Sequence, residues 1–120
     1  MRRSRAYYII GIAMLLLASC GQQYQAKQLV KEFVKANATE EVDITSFSDL
    51  DSTKVINDSL FQAMRKNATQ DPLFKKGTQF TAERAGKTLL YIRMRYGADS
   101  LNQSRTFYFN PDLAGIVVYK

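Results

Sequence analysis

The stretch from Lys87 to Tyr96 limits the fold more than any other part of this 120-residue chain. Leu90, Ile92, Met94 and Tyr96 alternate with Leu89, Tyr91, Arg93 and Arg95. Successive side chains of a strand point to opposite faces, so this alternation predicts a strand with one wholly apolar face. A strand needs partners to be stable, and the neighbouring sequence offers them. Arg105 to Phe109 predicts a second strand and Ile116 to Tyr119 a third, separated by the turn signal Asn110-Pro111-Asp112 with Gly115. Gln79 to Arg84 predicts a strand upstream, joined by a turn at Ala85-Gly86. Gly97-Ala98-Asp99-Ser100 opens a loop. Connections this short make the strands pair antiparallel, as a meander.

The period changes ahead of the meander. Ala26, Leu29, Val30, Phe33, Val34 and Asn37 recur on one helical face, which predicts a helix from Gln22 to about Ala38. Lys27, Lys31 and Lys35 line the other side. They read as a solvated stripe, with contact to anionic lipid headgroups as the alternative. Val42 and Ile44 alternate with Asp43 and Thr45, then Phe47 breaks the period, which reads as one strand, a bulge and an extended tail to Ile56. Asn57, Asp58 and Ser59 offer capping oxygens to a short second helix with Leu60, Phe61 and Met64 as its apolar face, ending near Asn67. Thr69 to Gly77 is a loop, since Asp71 precedes a proline. A sheet and a helix each bury one face by stacking. The expectation is an α+β fold: an N-terminal helix packed on a curved antiparallel sheet of about four to five strands, with a short helix before a C-terminal meander. In element order this resembles the cystatin-like and nuclear-transport-factor-2-like families, although the cystatin loop Gln-Val-Val-Ala-Gly has no counterpart. Those families span many functions, so the likeness carries none to this chain.

The first residues set the location. Arg2, Arg3 and Arg5 precede an apolar run from Tyr7 to Leu17, followed by Ala18, Ser19, Cys20 and Gly21. That is the layout of a secretory signal, and the run is short of the roughly 20 apolar residues a spanning helix needs. Leu17-Ala18-Ser19-Cys20 resembles the lipobox of bacterial lipoprotein precursors. The resemblance implies a diacylglyceryl group on the Cys20 thiol, cleavage before Cys20 and acylation of the new amine. It implies residues 1–19 as signal peptide, residues 20–38 as the anchored N-terminus and first helix, and 39–120 as the rest of the same domain. No Asp follows Cys20 and no acidic cluster follows it, which places the expected anchor at the periplasmic face of the outer membrane.

Composition excludes several chemistries. The chain has no His and one Cys. Imidazole-based nucleophilic catalysis, zinc binding by His or Cys, and an internal disulfide all lack their residues. Loss of Arg2, Arg3 and Arg5 with the signal lowers the formal charge of +6 to +3, and the remaining cations are mixed with acids, unlike a nucleic-acid footprint. Gly86-Lys87-Thr88 lacks the upstream glycine and the following helix of a phosphate loop. Asp49 and Asp51 lack the further ligands and the glycine of a calcium loop. No cofactor and no metal are expected.

What remains are surface candidates. Arg93, Arg95 and Arg105 converge on an anion or partner if Tyr96 pairs with Ser104, since Arg95 then faces Arg105, with Glu83 as a neighbouring acid. Tyr91, Phe107 and Phe109 are expected on one face of the meander, with Tyr108 and Tyr119 on the other. Apolar side chains on both faces imply a cover, and Tyr91 and Phe107 are the expected partner contacts. Asp51-Ser52-Thr53, Asp58-Ser59-Leu60 and Asp99-Ser100-Leu101 resemble the Asp-Ser/Thr O-glycosylation sites of some lipoprotein-exporting bacteria, making Ser52, Ser59 and Ser100 candidates, with local capping as the alternative. The sequence therefore reads as a small lipid-anchored envelope protein, a non-enzymatic binding or assembly module that presents a sheet face to a protein partner. The alternative is a small-ligand carrier, or an enzyme with a carboxylate or tyrosine site in the concavity of the sheet.

Overall fold

The computed structural model describes residues 21–97 and 103–120. Residues 1–19, read from the sequence as a signal peptide, and the candidates Cys20 and Ser100 lie outside the described residues.

Residues 21–37 form helix α1. Its buried line is Ala26, Val30, Phe33 and Val34, the face that the spacing predicts. The Asn37 amide donates to the Phe33 carbonyl at 3.0 Å and closes the last turn. Two short strands follow, β1 (Ile44–Phe47) and β2 (Asp51–Thr53). The predicted extended tail is thus a strand in its own right. A register shift between Ile44 and Ser46 is the bulge, and it explains the broken period: Ile44 and Phe47 oppose Tyr96 and Met94 and both pack into one core.

Helix α2 (Asp58–Ala68) starts where its cap predicts, with the Asn57 side chain accepting from the Leu60 N–H at 2.8 Å. Phe61 and Met64 are buried. Leu60 is 42% exposed and does not belong to the apolar face expected of it. The clearest departure is at Gln79 to Arg84, which form no strand. The Thr81 hydroxyl accepts the Ile116 N–H at 2.8 Å, while the Ile116 carbonyl accepts from both Thr81 and Ala82. A side chain takes the place of a backbone carbonyl, so no regular ladder propagates.

Strands β3 (Leu89–Tyr96), β4 (Gln103–Phe109) and β5 (Ile116–Tyr119) make the meander. The antiparallel sheet has five strands in the order β1-β3-β4-β5, with β2 also paired to β3. Each face has its own core. On one, α1 packs over Ile92, Met94, Phe107, Phe109, Ile116 and Tyr119. On the other, Ile56 and the α2 residues Phe61 and Met64 pack over Leu89, Tyr108, Val117 and Val118. Phe33 lies at the centre of the first core, its ring 5.3 Å from Phe74, 5.9 Å from Phe107, 6.2 Å from Tyr119 and 6.3 Å from Phe80. Among the described residues, no helix is long and apolar enough to cross a membrane.

The pairing corrects two sequence expectations at once. Tyr96 opposes Gln103, Arg95 opposes Ser104 and Met94 opposes Arg105. A one-residue difference in register exchanges the faces of every side chain on a strand. Tyr91 therefore shares its face with Tyr108, while Phe107 and Phe109 join Tyr119 beneath α1.

Candidate functional site

The face of the sheet opposite α1 is only partly covered. α2 shields the end holding Leu89, Tyr108 and Val118 and leaves the second half of β3 bare. Arg93 and Arg95 are exposed there, and Tyr91 is half-buried at the border. Thr106 opposes Arg93, with the guanidinium Nε donating to its hydroxyl at 3.5 Å, and Ser46 and Ser104 flank Arg95. Lys120 exchanges two backbone hydrogen bonds with Thr106, at 2.8 and 2.9 Å, which puts its side chain on the same face. The strip thus carries three cations among hydroxyls. Among the described residues, neither Arg93 nor Arg95 lies within ion-pair distance of an acid. The adjacent carboxylate, Asp51, is engaged by the Tyr91 hydroxyl at 3.5 Å. Unpaired guanidinium groups on a flat, solvated strip are suited to bidentate contact with carboxylate or phosphate.

Arg105 does not join them. It faces the α1 side, where Nε donates to Asp71 Oδ2 at 2.9 Å and Nη2 to Oδ1 at 3.2 Å. Asp71 also accepts from the Leu73 N–H at 3.0 Å, as an aspartate turn before a proline does. Burial pushes the Asp71 carboxyl up, but the hydrogen bonds from Arg105 and Leu73 and the guanidinium charge outweigh it, holding it below the usual carboxylate range. The Asp71 hydrogen bond in turn raises Arg105. Burial, then the Asp71 charge, pushes the Tyr119 hydroxyl well above the ordinary tyrosine value, and burial raises Tyr96 as well. Tyr119 donates to the Ala68 carbonyl at 3.3 Å. An ionised carboxylate and two neutral phenols held far from neutrality make a poor acid-base set. They make a good latch, tying the 69–77 loop to β4 and the end of α2 to β5.

Two open grooves flank this latch. One, of about 520 Å³, lies between the loop leaving α1 and the Tyr96 end of β3, with Glu40, Asp43 and Gln103 on its walls. The other, of about 310 Å³, lies between the end of α2 and Lys120. Among the described residues, α1 packs on the sheet face on which a ligand site was expected.

The remaining expected residues are dispersed. Phe107 is fully buried under Phe33 and Tyr119 and presents nothing to a partner. Glu83 pairs with Arg65 on α2 rather than with the β-strand arginines. Ser52 is exposed on β2 and Ser59 is exposed in the first turn of α2, whose cap is supplied by Asn57 instead. Among the described residues, no three metal-ligating side chains cluster. The sequence reading missed Asp71 and Tyr119. The available signal was Leu73-Phe74 directly after Asp71-Pro72: two large apolar residues in a loop send it back to the core, taking the aspartate along.

No family model, curated protein or solved structure matches this chain. Its chemistry is read from its own side chains.

Proposed function

We propose that this chain is a small, lipid-anchored envelope protein whose bare sheet face, centred on Arg93 and Arg95, binds the acidic surface of a protein partner. The observation that supports it is the unequal covering of the sheet. Two helices bury the apolar parts of both faces, and the exposed remainder is a cationic strip with no acid paired to either arginine among the described residues. Arg93 and Arg95 face Thr106 and Ser104 across the ladder, so their charges meet hydroxyls and water and stay available to an acidic surface. Anchorage by an acylated Cys20 accounts for the Arg-rich start, the short apolar run and the Leu17-Ala18-Ser19 approach to that cysteine.

The test has two arms in the native cell. Cys20→Ser should move the chain from the membrane to the soluble fraction. The double variant Arg93→Glu, Arg95→Glu should abolish the cross-linked species that wild type forms in the intact envelope, while a charge placed at exposed Val55 leaves it unchanged. The same cross-linked species from both charge variants would refute the assignment of this face.

A further inference from the structure

We infer that the outer stripe of α1 lies along the anionic headgroups of the bilayer, turning the Arg93–Arg95 face away from the membrane. This rests on the lipid-anchor reading above. Residue 21, the residue next to Cys20 in sequence, is already helical, so no linker follows the cysteine before the folded domain. Its first turns are fixed to the β1–β2 and β4–β5 connections. The Gln23 amide donates to the Ser48 carbonyl at 3.0 Å and accepts from the Leu50 N–H at 2.6 Å. Gln25 donates to the Leu113 carbonyl at 3.2 Å. An acyl chain at residue 20 therefore holds the whole body close to the surface in a restricted set of orientations.

The solvent-facing flank of α1, whose Lys31 ammonium lies 6.0 Å over the Phe47 ring of β1, matches that surface. Tyr24, Lys27, Lys31 and Lys35 follow one another at steps of three and four residues, opposite Ala26, Val30 and Phe33. Tyr24 is 65% exposed, beside the anchor, where an amphipathic ring fits the headgroup boundary. Lys31 and Lys35 are exposed, Lys27 is half-exposed, and the stripe runs about 16 Å along the helix axis. Glu32 is the one acid on α1, and Glu40 and Glu41 lie past its end. Lysines on an interfacial helix stabilise contact with an anionic leaflet, each by about fivefold in population.

The experiment uses full-length protein, processed and acylated in cells, purified in detergent and placed in vesicles of phosphatidylcholine with or without phosphatidylglycerol. The chain has no Trp, so Tyr24→Trp gives a single reporter, and Val55→Trp, at a site 79% exposed, gives a control. The expected result for the Tyr24→Trp variant is a blue-shifted indole emission, quenched by headgroup-level nitroxide lipid on the anionic vesicles. About 1 M salt, which shortens the screening length to about 3 Å, should reverse it. Lys27→Gln, Lys31→Gln, Lys35→Gln together should lower the docked population about 100-fold with unchanged circular dichroism. The Val55→Trp reporter should stay in water throughout. Acylated Tyr24→Trp protein whose indole is equally wet on both vesicles would overturn the docking and leave the anchor standing. A purified chain whose mass shows no acyl group would overturn both.

Discussion

Replacing Arg105 with Met should destabilise the domain by about 3 kcal/mol. The substitution keeps an unbranched stem and removes the guanidinium, with its two hydrogen bonds of 2.9 and 3.2 Å to Asp71. The Asp71 side chain is only 9% exposed and would keep its charge with a single backbone donor, Leu73. Removing one partner of a buried pair costs about 3–5 kcal/mol. The Arg105 side chain is 26% exposed, so water can enter the vacated space, and the lower end of that range applies. The cost should depend on the orphaned charge more than on the lost bonds. Asp71→Asn in the Arg105→Met background should therefore recover part of the loss, and the double-mutant cycle should show coupling of about 1–2 kcal/mol. Urea denaturation followed by far-ultraviolet circular dichroism measures all four corners. A loss below about 0.5 kcal/mol, the range of an exposed ion pair, or strict additivity, would refute the view that this pair latches the loop to the sheet.

Other outcomes follow from the same geometry. Tyr119 and Tyr96 have hydroxyls raised above 10.0 in the fold, so the protonated form is favoured natively; their contribution is complete below about pH 10 and is lost as pH climbs past it toward the raised values. Denaturation midpoints should fall as the pH is taken above about 10, and Tyr119→Phe should flatten that fall. Phe33→Ala removes a ring that meets four aromatic neighbours and should cost about 3–5 kcal/mol in chemical denaturation. Gly115→Ala puts a methyl group 2.7 Å from the Thr81 hydroxyl and 3.0 Å from its backbone. It should lower the thermal midpoint, which Thr81→Ala does not restore, because the backbone clash persists.

Local pattern made most elements legible. Apolar spacing located α1, alternation located β3, and Asn57 marked the start of α2. The Arg cluster was not legible, because face assignment needs the register, and register is set by contacts far apart in sequence. Ser104 and Gln103 are both polar, so nothing local says which one opposes Tyr96. The burial of Phe107 does, because Phe33 and Tyr119 close over it on the α1 side. The Gln79–Arg84 expectation failed for a different reason. Its alternation is that of a strand, but the Thr81 hydroxyl competes with the backbone for the Ile116 N–H. The latch at Asp71 was legible only in part: the turn was visible, while its partner lies 34 positions away.

The final strand belongs to both cores. Ile116 and Tyr119 enter one, Val117 and Val118 the other. Neither interior is complete until β5 is in place. The two halves of the fold therefore cannot close one after the other, because a single strand locks both at once.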